Sequence, residues 1–257
     1  MSVLSYLEKR ASDAVLSSDE KSSISTSITT LKTRLNVHFS SKVSEHFQFG
    51  SSTRGTILPR AMDAHSDIDY MIVFSERGYA PQTYLDRLKR FVETYYSRSE
   101  IYQSSPTVVL ELNHIRFDLV PALSTGWGSY DIPSGLNNWQ STNPNDFNST
   151  LENSNKNNSY LIKPTIRLAK FWNAKNDYVF ESFSFEKWIL NQYFYGCANQ
   201  RDYLFSAFDA LSATSPSEQW RRDKIERAKK IVAEVRQLER DNKPYSAESE
   251  VKRLIPE

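Results

Sequence analysis

Two aspartates, Asp67 and Asp69, stand two residues apart at the head of Ile68 to Phe74, an apolar run of strand length. On a strand, residues i and i+2 face the same side, so both carboxylates look into one space. Upstream, after the aromatic stretch Phe47 to Phe49, comes a run of small residues that includes Gly50, Ser51, Ser52, Gly55 and Thr56. Such a loop lets backbone N–H groups and hydroxyls close on phosphate oxygens, above all where a helix begins. Paired carboxylates facing a phosphate cradle require a counter-charge. Mg²⁺ supplies it, being a hard cation held jointly by carboxylates and substrate phosphates. A third acid, Asp118, lies among apolar neighbours in the run from His114 to Ala122. A carboxylate there is costly to bury unless it is paired or holds metal, and it is taken as the third ligand. Taken singly, a Gly-Ser loop is an ordinary turn and an Asp-x-Asp a solvated strand end. The combination, in this order and with the third acid, favours the metal and phosphate chemistry.

These side chains need elements to hold them. Val3, Leu4, Leu7, Ala11, Ala14 and Val15 fall at helical spacing, and Ser17-Ser18-Asp19 ends that pattern and opens a second helix from about Glu20 to Phe39. After the Asp67–Asp69 strand, Gly78 to Pro81 forms a turn, and Tyr84, Leu85, Leu88, Phe91, Val92 and Tyr95 mark an amphipathic helix. Thr107 to Leu112 and Ile115 to Val120 read as two arms of a hairpin, the second bringing Asp118 beside Asp67 and Asp69. Residues 124–158 are poor in aliphatics and rich in Asn, Ser, Gly and Pro, which predicts a long functional loop with little regular structure. From Leu161 onward the pattern is helical, with predicted helices at Leu161 to Lys175, Ser184 to Ala198, Tyr203 to Ala213, Glu218 to Arg240 and Ala247 to Leu254. The expectation is an α/β (α+β) fold in two parts: 1–160, a catalytic lobe with an N-terminal long helix and a mixed sheet, and 161–257, a helical lobe, with the active site in the cleft between them.

Composition narrows the function. The chain has 257 residues, 39% hydrophobic and 13% aromatic, as suits a globular protein. Its 32 Lys and Arg against 31 Asp and Glu leave a formal net charge of +1, without the basic excess of a protein that grips long nucleic acid. The single cysteine, Cys197, excludes an internal disulfide and a cysteine-based zinc site. No apolar run approaches ~20 residues and the N-terminus lacks a secretion pattern, so a cytoplasmic, non-membrane protein is expected. The histidines show no metal-ligand spacing. The basic residues between Arg221 and Lys230 are interspersed with acids and read as a solvated helix face.

The Gly50-Ser51 pair followed by Arg54-Gly55-Thr56, the Ser66-Asp67-Ile68-Asp69 run, Asp118 with Pro121-Ala122, and Ile132-Pro133, Trp139 and Pro144 before a helical half resemble the nucleotidyltransferases of the DNA polymerase beta superfamily. The finer pattern is similar to the bacterial cyclic-oligonucleotide synthases (CD-NTases), relatives of the animal DNA-sensing synthase and the oligoadenylate synthetases. It runs from about Phe47 to about Lys187. The resemblance implies in-line attack of a hydroxyl on the α-phosphorus of ATP or another nucleoside triphosphate, with Mg²⁺ or Mn²⁺ ions about 3.5–4 Å apart clamping both ends. Asp67 and Asp69 would hold the triphosphate's metal and share the second with Asp118, which is also the best-placed base; Gly50 and Ser51 would cradle phosphate.

The same resemblance makes Lys170 a phosphate contact, where the residues alone read as a surface lysine on an amphipathic helix. It gives Ser182 a phosphate contact and Phe183 a stacking role on the donor base; plain core remains open for Phe183. Arg54 reads as a loop-fixing ion pair rather than a phosphate ligand, and Gln48 receives no role. The product would be a cyclic di- or trinucleotide, acting on a separate effector in CBASS-type antiphage signalling, made by a monomer. Two alternatives stand beside it: transfer to RNA, a protein or a small molecule, and a non-catalytic nucleotide-binding protein.

Overall fold

Serine caps open the first two helices. The Ser2 hydroxyl accepts from the Ser5 amide at the start of α1 (Val3–Asp13), and Ser17 and Glu20 cap each other at the start of α2 (Ser18–Phe39). The computed structural model describes residues 2–104, 106–212 and 218–257. After α2 come β1 (Val43–Phe49), the one-turn helix α3 (Ser51–Arg54), β2 (Asp67–Phe74), α4 (Pro81–Tyr95), β3 (Glu100–Ser104), β4 (Thr107–Glu111) and β5 (Arg116–Gly126). Pro81 sits in the first turn of α4, where its missing N–H leaves no helical bond unmade.

The strands form a mixed sheet in the order β1-β2-β5-β4-β3, in which β2 and β5 are parallel and every other pair is antiparallel. The parallel pair is possible because α4 and the β3–β4 hairpin carry the chain back before β5 begins. The predicted hairpin is present as β4 and β5. β3, mostly exposed, is an edge strand without the apolar alternation that announces one.

Two faces divide the sheet's side chains. Ile68, Tyr70, Ile72, Phe74, Phe117 and Leu119 point into a core completed by Leu31 and Leu35 of α2 and Leu85, Leu88 and Phe91 of α4. Each fully buried Leu or Phe in such a core contributes ~1.5–3 kcal/mol. On the other face, Met71, Val73, Ala122 and Tyr130 gather a smaller cluster.

The predicted loop over 124–158 is corrected by the structure. β5 runs on to Gly126, β6 (Ser129–Pro133) and β7 (Trp139–Thr142) extend the sheet, and α5 (Asp146–Asn157) follows. The strands escaped the composition because their alternate positions carry Ser, Asp, Gln and Thr, while only Tyr130 and Pro133 are buried. Tyr130 holds β6 in place, with its ring against Phe47 and its hydroxyl donating to Glu45 at 2.9 Å.

The remaining helices are α6 (Ile162–Lys175), α7 (Ser182–Leu190), α8 (Gln200–Ala210), α9 (Gln219–Arg240) and α10 (Pro244–Leu254). α7 stops well short of Ala198, ahead of Tyr193, Phe194 and Tyr195 and of Gly196 at φ 76°. The predicted end of the third helix, Ala213, lies outside the described residues.

Contacts group the chain into two units. One comprises Leu16–Arg60 and Ala64–Thr150, and holds the sheet, α2 and α4; the other comprises Met1–Val15, Ala61–Asp63 and Leu151–Glu257. The sequence boundary at 160/161 differs from this division, in which α1 joins the C-terminal helices. The reason is the apolar stripe of α1: Leu7 is fully buried, and the Tyr6 hydroxyl donates to the Ile255 carbonyl at 2.6 Å. Among the described residues, no helix is long and apolar enough to cross a membrane.

Candidate active site

The parallel pairing of β2 with β5 sets the site. Its register places Asp67 opposite Arg116 and Asp69 opposite Asp118. Partners in register on neighbouring strands face the same side, and so do i and i+2 on one strand. Asp67, Asp69, Arg116 and Asp118 therefore share one face, while Ile68 and Phe117 between them turn into the core.

Asp118 is largely buried, at 9% exposure. Its carboxylate is gripped by Arg116, with Nε 2.7 Å from Oδ1 and Nη2 2.9 Å from Oδ2, a bidentate, charge-assisted pair. The same Nη2 lies 3.7 Å from Oδ2 of Asp67. Hydrogen bonding to Asp118 holds the Arg116 guanidinium above its ordinary range, against the burial that pulls it down. Among the described residues, no three His, Cys, Asp or Glu side chains form a ready-made metal cluster. The donor set nevertheless fits a hard divalent cation: three carboxylates on one face of two adjacent strands, with a guanidinium standing among them as the present positive charge.

The Gly-Ser turn is tied to the same place. Phe49, the last residue of β1, pairs with Asp69, so the chain leaves the sheet beside that carboxylate. Gly50 leaves it at φ 74°, ψ −154°, a region nearly closed to residues with a side chain. A Cβ on Gly50 would stand 1.8 Å from Oδ2 of Asp69. Only a bare α-carbon lets the turn lie this close to the acid.

Ser51, half-buried, opens α3. Its carbonyl accepts from the Thr56 and Ile57 amides at 3.0 and 3.2 Å, and the Gly50 carbonyl accepts from Arg54 N–H at 3.3 Å and the Thr53 hydroxyl at 3.0 Å. The carbonyls are thus satisfied inside the turn, and the first-turn amides of α3 have no intrahelical acceptors, which is the complement a phosphate oxygen offers. Gln48 has a positioning role that the sequence did not disclose, donating to the Ser52 hydroxyl at 2.8 Å. Arg54 is buried with its guanidinium over the Phe147 ring at 5.6 Å. His46 and His114 are engaged elsewhere: His46 with Tyr70 and Asn36, His114 with Ser27.

Lys170, Ser182 and Phe183 belong to the other unit. Lys170 is not a surface lysine of an amphipathic helix: it is 7% exposed, and its Nζ lies 2.9 Å from Oε1 of the fully buried Glu186. This pair ties α6 to α7. Ser182 opens α7 and is exposed. Phe183 is 43% exposed, outside the core, with Lys187 Nζ 5.6 Å from its ring centroid. Glu181 fixes this turn by accepting from the Phe183 and Ser184 amides at 2.9 and 2.7 Å. Burial raises the Glu181 carboxyl, but the bonds from Ser184 and Phe183 outweigh it and leave it below its usual range.

Sequence reasoning missed Arg116 and Glu186. The signal for Arg116 was present, since the i, i+2 rule that pairs Asp67 with Asp69 also pairs Arg116 with Asp118. Glu186 had none, because its partner is set by the packing of two helices.

The register thus gathers three aspartates on one face of a mixed sheet, with the Gly-Ser turn against one of them. The model of the Second Messenger Oligonucleotide or Dinucleotide Synthetase domain matches residues 1–155, more than half of the chain, and the chain belongs to that family. A probable cyclic nucleotide synthase of Bacillus cereus (strain VD146) is 28% identical over 184 residues, covering 56% of this chain and 54% of the relative. The cyclic AMP-AMP-AMP synthase of an Acinetobacter species is 30% identical over 155 residues, 57% of this chain and 45% of the relative. The chain thus spans about half the length of the curated relatives it matches. The solved structure of Escherichia coli MS115-1 CdnC with ATP shares the fold, with TM-score 0.73 at 15% identity over 99% of this chain and 98% of that one.

Proposed function

We propose that the chain is a nucleotidyltransferase that joins nucleoside triphosphates and closes them into a cyclic di- or trinucleotide. The observation that carries it is the register of Asp69 against Asp118, with Asp67 on the same face and Gly50 against the Asp69 carboxylate. Family membership and the ATP-bound CdnC structure support the substrate class.

Asp67, Asp69 and Asp118 are the residues that would hold Mg²⁺ or Mn²⁺. Such a cation, when bound, neutralises triphosphate charge and makes the acceptor hydroxyl more acidic. Asp67 and Asp69 orient the donor triphosphate, and the first-turn amides and Ser51 hydroxyl bind its β- and γ-oxygens. Asp118 takes the proton of the acceptor hydroxyl on a carboxylate oxygen as that hydroxyl attacks the α-phosphorus and pyrophosphate leaves. Lys170 and Ser182 contact phosphate in this reading, and Phe183 offers an exposed ring for the donor base. We place the enzyme in the cytoplasm as a monomer, with its product acting on a separate effector in antiphage defence.

Incubation with a mixture of labelled nucleoside triphosphates and Mg²⁺ or Mn²⁺ tests this. The expected result is a phosphatase-resistant small product whose mass gives the ring size, lost in a folded Asp69→Asn variant. Labelled RNA or protein would move the acceptor to another class. Absence of turnover by well-folded protein, or full turnover by Asp69→Asn, would overturn the assignment.

A further inference from the structure

Glu111, in register opposite Arg116 on β4, looks like the natural partner for that guanidinium. It is taken by another residue: Arg60 Nη1 sits 2.5 Å from Glu111 Oε1 and also donates to the Leu112 carbonyl. Arg60 further donates to the Ala64 carbonyl, from Nε at 3.1 Å and Nη2 at 2.8 Å, which pins it in this position. Arg116 turns the other way, onto Asp118 and toward Asp67. The side chains of Arg116 and Asp118 are 19% and 12% exposed, so their attraction is weakly screened. Three carboxylates on one face repel one another, and Arg116 is a positive charge that offsets this repulsion.

We propose that Arg116 is a built-in counter-cation of the acid face, and that a divalent cation must displace it before Asp118 can serve as a ligand. This rests on the nucleotidyltransferase reading given above. The guanidinium fork fills both oxygens of Asp118, so a cation approaching that carboxylate competes with two charge-assisted hydrogen bonds at once. The same guanidinium approaches Asp67 at 3.7 Å. Arg116 is therefore a competitor that a cation must overcome at Asp118.

The test is Mn²⁺ binding by the full chain, followed by the electron paramagnetic resonance signal of free Mn²⁺ with a non-hydrolysable nucleoside triphosphate present, alongside thermal melts with and without Mn²⁺. Arg116→Gln is expected to bind Mn²⁺ about tenfold more tightly, the loss of one charge-assisted competitor, and to show a larger Mn²⁺-dependent rise in Tm. Arg116→Lys keeps the charge but not the fork, and is expected to fall between wild type and Gln. It also decides the matter if the Gln variant fails to fold. Unchanged or weaker Mn²⁺ binding in the folded variants overturns the proposal and leaves the pair a fastening of β5. Asp69→Asn separates the two levels. If it abolishes Mn²⁺ binding while Arg116 variants match wild type, only the counter-cation role fails. If wild type binds no Mn²⁺ and Asp69→Asn changes nothing, the metal-dependent function falls as well.

Discussion

Gly50→Ala is the substitution in which backbone and chemistry are most tightly joined. The added methyl carbon would meet Asp69 Oδ2 at 1.8 Å and Cγ at 2.7 Å. The carboxylate must then retreat by more than about 1 Å, and a displacement of even ~1 Å at a reacting centre costs ~100-fold in turnover. The backbone adds its own cost, because φ 74° with ψ −154° is strained for alanine by ~1–3 kcal/mol. At about 2–4 °C per kcal/mol for a chain of this size, the Tm falls by several degrees. Gly55→Ala is the matched control. Its φ of 71° is also left-handed, but nothing lies within 4 Å of the new carbon. It is expected to lose ~1–2 kcal/mol of stability and to retain turnover. Product formation at a temperature where both variants are folded, with melts of each, separates strain from displacement. Equal turnover in the two variants would refute the claim that the turn acts through Asp69.

Much of the site was legible because it depends on local periodicity. The spacing of Asp67 and Asp69 predicted a shared face, and the apolar setting of Asp118 predicted a second strand beside them. Strand order and register are another matter. That Asp69 faces Asp118, rather than a neighbour two residues away, follows from how β2, α4 and the β3–β4 hairpin fit together, which no local pattern encodes. The i, i+2 rule put Arg116 on the face of Asp118, but its choice of Asp118 over Glu111 depends on where Arg60 lies, which the sequence pattern does not encode. β6 and β7 escaped because their burial is confined to a few positions, and composition averages that alternation away. The burial of Lys170 is likewise set by tertiary packing. A lysine in an amphipathic helix is ordinarily solvated, and an ion pair with Glu186 of α7 helps make its burial tolerable.

Two further outcomes follow from one half-buried and one buried polar group. Nδ1 of His46 accepts from the Tyr70 hydroxyl at 2.8 Å, and Nε2–H donates to Asn36 Oδ1 at 2.9 Å. Burial first, and then nearby Lys32, lowers the His46 pKa below 6.5. The unfolded chain therefore takes up the proton first as pH falls, so this contribution is whole above pH 6.5 and is lost from there down to the folded-state pKa. Melts at about pH 7.5 and 5.5 should show a smaller acid-induced drop in Tm for His46→Gln than for wild type, and identical drops would refute the linkage. For Lys170, removing one partner of a buried pair costs ~3–5 kcal/mol because the other charge is left stranded. Lys170→Met is thus expected to lower Tm whatever the lysine does for phosphate, and its activity alone decides nothing. The double variant Lys170→Met/Glu186→Leu removes the stranded acid and should recover most of the stability. If the double variant folds, binds triphosphate and turns over like wild type, Lys170 is a fastening between α6 and α7; recovered stability with lost triphosphate affinity assigns it the phosphate contact.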